Sequence, residues 1–110
     1  MTTCETLPLC PDTTVEDNTE CTEPVEVGPF REGIVFVRVF EGGAVDVEVG
    51  VSPIGYEDWS TAWTVRETRH ELAGPGMYEI PLQNFGNWLR LRFSNHDQPA
   101  SVLAWFVGKG

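Results

Sequence analysis

The chain of 110 residues has few of the side chains that bind nucleic acids or anionic membranes. It carries 7 Lys and Arg against 17 Asp and Glu, which gives a formal net charge of −10. Residues 1–30 contain no Lys or Arg at all. Binding to a phosphate backbone or to an anionic lipid surface requires clustered cations. We therefore expect no nucleic-acid partner and no membrane partner.

Long apolar runs are also missing from the sequence. No stretch approaches the roughly 18 apolar residues that indicate a membrane-spanning helix. The first residues, Met-Thr-Thr-Cys-Glu, have no basic start, and no apolar segment follows them. Since a secretory signal needs both features, we expect a protein that is made in a cytoplasm without a signal peptide.

Side chains in catalytic arrangements are scarce. The two histidines are His70 and His96, and neither lies in a nucleophile motif. The acids are scattered rather than paired as glycoside hydrolysis requires. Gly42 and Gly43 mark a turn rather than a phosphate-binding loop. We predict that the protein is not an enzyme and has no catalytic residues, no cofactor and no metal centre.

Cysteine is absent beyond residue 21. Cys4, Cys10 and Cys21 have the spacing of neither a zinc finger nor a redox CxxC motif. Because their number is odd, one thiol is left over after any internal pair. Three interpretations stay open: reduced thiols, a disulfide between subunits, or a metal shared by symmetry-related segments.

The residues that are present divide the chain into two parts. Hydrophobic residues make up 41% of it, enough for one packed domain. Residues 1–29, however, are rich in Thr, Pro and acids. Proline removes a backbone donor and fixes φ, so no helix or central strand is expected there. We predict an extended acidic N-terminal arm over 1–29 and a β-sandwich domain over 30–110.

The domain opens with two runs of alternating apolar residues, 33–40 and 44–51. Alternation of period two predicts β-strands, and the glycines between the runs predict a hairpin. A three-residue loop over 41–43 would set Arg38 opposite Asp46, a favourable cross-strand pair. The valines would then form one face of the hairpin.

This register leaves three large apolar side chains on the face away from the valines. Their exposure would be unfavourable unless a second layer, the arm or a partner covers them. We expect them to form an interface together with the cysteines of the arm. The predicted interface residues are Ile34, Phe36, Phe40, Cys4, Cys10 and Cys21.

Four further strands are predicted over residues 62–72, 77–82, 87–94 and 100–107, with turn residues between them. Trp105 is expected in the core. No apolar stripe of helical period runs without Gly or Pro. The pattern predicts an all-β fold, an antiparallel β-sandwich or jelly roll of about seven to eight strands with an extended N-terminal arm.

Aromatic side chains near polar ones suggest a second kind of site. Trp88 alternates onto the same face as Arg90 and Arg92, and Tyr56 and Trp59 follow the turn after residue 51. Aromatic rings can stack on sugars while neighbouring polar groups bind the hydroxyls. The other interpretation is packing at the rim of a small sandwich.

Two segments resemble a known group of sandwiches. Residues 47–59 (VEVGVSPIGYEDW) are similar to the strand, Ser-x-x-Gly turn and tryptophan of discoidin-like, galactose-binding-like domains. Residues 87–95 (NWLRLRFSN) are similar to their aromatic-x-Arg-hydrophobic strand. Over residues 33–108 the layout also resembles small phage virion proteins, which are head-decoration or tail-associated sandwiches with an N-terminal arm.

The resemblance implies a non-enzymatic structural virion protein, a capsid decoration (cement) or tail-associated protein. Such a protein would dock on a lattice through its arm and its apolar face. Its partners would be the major capsid protein or another virion protein, and copies of itself, a trimer being expected. The alternative is a carbohydrate-binding module for surface glycans.

Overall fold

The structure, a computed structural model, describes residues 4–16, 19–56 and 58–110, except the side chains of residues 19–21 and 41. The described residues form nine strands and one short helix. The elements are β1 (Cys4–Val15), β2 (Thr19–Cys21), β3 (Val25–Glu26), β4 (Glu32–Gly42), β5 (Val45–Ser52), α1 (Trp59–Ala62), β6 (Thr64–Leu72), β7 (Gly76–Gln83), β8 (Trp88–Asn95) and β9 (Ala100–Lys109).

The strands form two antiparallel sheets. Sheet A has the order β1-β9-β4-β7, and sheet B has the order β2-β8-β5-β6, with β3 also paired to β8. The two sheets pack face to face through their inner side chains, as in a sandwich. The prediction of an all-β antiparallel sandwich is confirmed.

Alternation along the strands fills the space between the sheets. The valines of β4 (Val35, Val37 and Val39) and those of β5 (Val45, Val47 and Val49) are all 0% exposed. They come from opposite sheets. The largest other side chains of this core are Leu89, Leu91, Phe93, Ile80 and Phe106.

The predicted hairpin over 41–43 is wrong. Strand β4 lies in sheet A and β5 in sheet B, so the chain crosses from one layer to the other at Gly42, whose φ is +99°. Arg38 is therefore paired with Met77 rather than with Asp46. A row of valines is buried equally well against a facing sheet, so period two does not tell the two arrangements apart.

The N-terminal segment does not leave the domain as an arm where the structure describes it. Strand β1 pairs along β9, from Cys4 opposite Lys109 to Val15 opposite Ala100. Its prolines are accommodated because β1 is an edge strand with register shifts beside Pro8. The core includes four residues of the predicted arm: Leu9, Cys10, Val15 and Val27. The expected division at residue 29 is corrected accordingly.

A single helical turn was not expected from the sequence. Asp58 begins α1 by accepting hydrogen bonds from Ser60 N and Thr61 Oγ1, at 3.1 and 2.8 Å. The predicted strand over 62–72 thus starts later, at Thr64. Among the described residues, no helix is long and apolar enough to cross a membrane.

Candidate interface

The outer surface of sheet A is mainly apolar over three of its four strands, β9, β4 and β7. We call it outer face A. Its side chains are half-buried or exposed and alternate with the buried ones of the core. Outer face A comprises Ile34, Phe36, Arg38 and Phe40 of β4, Met77, Glu79 and Pro81 of β7, and Leu103, Trp105 and Val107 of β9.

Phe36 lies near the middle of outer face A. Its partners in the register are Trp105 on one side and Glu79 on the other. The next row holds Arg38, whose guanidinium lies 5.8 Å from the centre of the Phe40 ring. These contacts leave the rings partly open to solvent, so the face has aromatic surface available to a partner.

The location of Trp105 corrects one expectation. It was expected in the core, but it is half-buried on outer face A, whereas Ala104 and Phe106 point inward. Strand β9 is apolar on both sides, so its alternation does not reveal which side is inner.

The charges of outer face A and its margin balance among the described side chains. At one end, Lys109 Nζ lies 3.6 Å from Glu32 Oε1. Near the middle, Arg38 and Glu79 are exposed, and neither has an ion-pair partner in the described part of the chain. Outer face A and its margin thus carry two cations and two anions, although the whole chain has a net charge of −10.

A shallow groove of about 350 Å³ closes one end of the face. It runs beside Ile34, Pro81 and Val107, and the exposed Cys4 lines its rim. Cys10, by contrast, is 5% exposed and belongs to the core.

The structure thus brings four of the six predicted interface residues onto one surface. Ile34, Phe36 and Phe40 do point away from the valines, as expected, and Cys4 lies at the same surface. Cys10 is corrected to a core residue, and the side chain of Cys21 lies outside the described residues. Whether these residues form an interface stays a prediction.

The aromatic and basic residues predicted for sugar binding lie partly together on the outer surface of sheet B. The rings of Trp59 and Trp63 stack at 6.2 Å with 12° between their planes. Arg90 lies over both rings at 5.9 Å, and Arg92 lies over Trp59 at 4.7 Å. Arg92 also forms an ion pair with Glu48 at 2.5 Å.

These contacts favour packing over sugar stacking at Trp59, because its ring is engaged by groups of its own chain. Trp88 lies against the backbone of Gly55, so a side chain at that glycine would meet the indole at 2.6 Å. Tyr56 is 69% exposed and is the predicted sugar-site residue most accessible to a ligand. Sugar binding stays a prediction.

A third cluster surrounds Asp46 and was not found from the sequence. Asp46 Oδ1 accepts hydrogen bonds from Glu71 N and from His96 Nε2, both at 2.9 Å. His70 Nδ1 lies 3.6 Å from the other oxygen. The carboxylate therefore joins β5, the end of β6 and the loop between β8 and β9. Alternation alone gave no signal, because the three segments are distant in sequence.

The pKa values of Asp46 and His96 are both shifted in the direction that favours an ion pair between them. Burial opposes ionisation of Asp46, but the hydrogen bonds from Glu71 and His96 outweigh it and lower the pKa below 3.8. The hydrogen bond to Asp46, followed by its charge, raises the pKa of His96 above 6.5. The charged forms of both groups therefore predominate between these two ordinary values.

We expect His96→Ala to destabilise the fold in a pH-dependent way. Because the pKa of His96 is raised, its interaction with Asp46 contributes stability that is fully present below pH 6.5. This stability is lost as the pH rises through the raised pKa. Because the pKa of Asp46 is lowered, the same interaction contributes stability above pH 3.8. That stability is lost as the pH falls through the lowered pKa. Thermal unfolding of wild type and variant should therefore differ most between pH 3.8 and 6.5.

The matched comparison is His70→Ala, whose imidazole is 72% exposed and lies farther from the carboxylate. Its effect on the melting temperature should be smaller. A wild-type minus His96→Ala difference that stays constant from about pH 5 to about pH 9 would contradict the assignment.

Neither the family models nor the curated proteins match this chain. Solved structures do resemble it. A structure of Bacillus endospore appendages, a family of disulfide-linked pili, superposes with a TM-score of 0.61 at 13% identity, covering 99% of this chain and 88% of that one. The SPBc2 prophage-derived protein YomS gives 0.61 at 10% identity, covering 98% and 96%.

A structure of infectious bursal disease virus, Gx strain, gives a TM-score of 0.51 at 9% identity. It covers 100% of this chain but 32% of the viral chain. At such identities the likeness establishes the fold, and function must be argued from the surface of this chain itself.

Proposed function

We propose that the chain is a non-enzymatic structural protein of a virus particle, and that it acts by assembly through outer face A. The observation that carries the proposal is the face itself: aromatic and aliphatic side chains across three neighbouring strands, with balanced charge. A large apolar side chain left in water forgoes roughly 1.5–3 kcal/mol. A partner that covers Ile34, Phe36 and Trp105 recovers part of that free energy.

The structural neighbours support this proposal. One is a prophage-derived protein, one is part of a virus structure, and one belongs to disulfide-linked pili. The finer role that we propose is capsid decoration or attachment to a tail, with a capsid or other virion protein as the lattice partner. The exposed thiol of Cys4 beside the groove would lie at the margin of such a contact.

The proposal is tested by following the chain through purification of particles. Particles from the culture that produces the chain are separated on a density gradient, and every fraction is quantified by mass spectrometry. We expect the chain to sediment with the particles in a fixed ratio to the main shell protein. Recovery of the chain only in the particle-free fractions would contradict a virion role.

A matched variant shows which surface is used. Phe36→Glu changes outer face A without touching the core, since Phe36 is half-buried on the outer side. Thr64→Glu introduces the same charge at an exposed position of β6 in the other sheet. Loss of particle binding with the first variant and retention with the second are expected.

A further inference from the structure

Four side chains of outer face A, two on β4 and two on the edge strand β7, form a square. Phe36 and Glu79 are cross-strand partners, and so are Arg38 and Met77 in the next outward row. One diagonal of the square therefore joins the two charges, and the other joins the two apolar side chains. Met77 is 56% exposed, and both charged groups are exposed.

We propose that a second copy of this chain covers outer face A, related by a two-fold axis that lies between the two faces along the Phe36–Met77 diagonal. This inference rests on the proposed function, because it names the first partner of the same surface. About that axis, Phe36 meets Phe36 of the second copy, and Met77 meets its own counterpart. Arg38 of each copy then lies opposite Glu79 of the other copy. The pair of chains therefore contains two Arg38–Glu79 contacts between opposite charges.

The same axis brings apolar groups together beyond the square. Trp105, one strand away from Phe36 in β9, comes to lie against Ile34 of the second copy. Both side chains are half-buried in the single chain. Because the axis exchanges the direction along β4 with the direction across the sheet, the strands of the two copies cross at a steep angle, as in orthogonal packing of two sheets.

The size of the face suits a weak pair. Strands β4 and β7 are paired over eight positions. Three strands about 4.8 Å apart and eight residues at about 3.3 Å each give a face of about 14 by 26 Å. Two such faces bury at most about 750 Å², which is in the range of a weak, transient interface.

Electrostatics favour a second copy on this face over other contacts between copies. Two chains of net charge −10 repel each other, and the N-terminal 30 residues carry acids without a compensating base. Outer face A and its margin are balanced among their described side chains, by Arg38 and Lys109 against Glu32 and Glu79. Close approach is therefore least unfavourable there.

The test is a charge exchange measured by analytical ultracentrifugation at low salt, over a concentration series. The wild type should sediment as a dimer at the higher concentrations. Arg38→Glu and Glu79→Arg should each raise the dimer dissociation constant roughly tenfold or more, because each creates like-charge contacts. The double variant, in which both charges are exchanged, should dimerise nearly as well as the wild type.

The controls separate folding and net charge from the interface. Circular dichroism and melting temperature should be unchanged in all three variants. Glu16→Arg alters the net charge as Glu79→Arg does, but at an exposed residue after β1; it should leave the dimer intact. Phe36→Glu, which places two carboxylates together on the axis, should give a monomer.

The opposite outcomes are equally clear. A wild type that remains a monomer, a trimer of the kind expected from the sequence, or a double variant that fails to recover would each overturn the two-fold pair. The particle experiment is independent of these results. A chain that sediments with particles without forming the two-fold pair would have outer face A covered by a different virion protein. A rescued dimer that never sediments with particles would support the pair while contradicting the virion role.

Discussion

Deletion of residues 1–29 should leave a chain that does not fold. The deletion removes β1, β2 and β3, and with them the buried side chains of Leu9, Val15 and Val27. It also uncovers the long edge of β9 that β1 protects. Loss of a single buried leucine costs about 2–5 kcal/mol, and a whole domain is stable by about 5–15 kcal/mol.

The measurement is the circular dichroism spectrum with thermal unfolding of the purified truncated chain. Val15→Ala should destabilise the intact chain measurably, since this residue is 0% exposed. Thr6→Ala, at an exposed position of the same strand, should change the stability by no more than about 0.5 kcal/mol. A truncated chain that melts cooperatively near the wild-type temperature would show that the N-terminal segment is indeed a separate arm.

Val47→Asp should unfold the domain or come close to it. Val47 is 0% exposed and is paired with Phe93 in the centre of sheet B. A buried carboxylate without a partner costs several kcal/mol even when it takes up a proton. That cost is comparable with the whole free energy of unfolding of a domain this small.

Urea denaturation measures the effect, with Thr64→Asp as the control. Thr64 is exposed on the neighbouring strand β6, so the same new charge there should be close to neutral. Equal midpoints for the two variants would mean that Val47 does not face the core. At low pH the Val47→Asp variant should recover part of its stability, because the neutral acid is less costly to bury.

The period of the apolar residues predicted which face of each strand is buried, but not which strand lies beside it. Val37 and Val47 were expected on one inner surface, and both are buried. They were expected to belong to one hairpin, yet they come from two different sheets. Pairing depends on the path of the loop at Gly42 and on distant strands, which local alternation does not contain.

The same reasoning explains what was found and what was missed in the candidate interface. Ile34 and Phe36 were predicted because they alternate with fully buried valines. Trp105 was placed on the wrong side because both sides of β9 are apolar. Met77 and Glu79 were not connected with Phe36 at all, since they reach it through the pairing of β4 with β7. Phe36, Arg38, Met77 and Glu79 come together only when β4 and β7 pair in the folded sheet.

The place of β9 in sheet A has a consequence for the timing of folding during synthesis. Strands β1 and β4 both pair with β9, which therefore separates them in the sheet. After Val15 has been made, β1 must wait for residues 100–109 before its partner exists. At about 5–20 residues per second this delay lasts roughly 5 to 20 seconds. Throughout it, Leu9 and Val15 lack the layer that buries them, so a nascent chain is expected to depend on chaperones or on early contacts between copies.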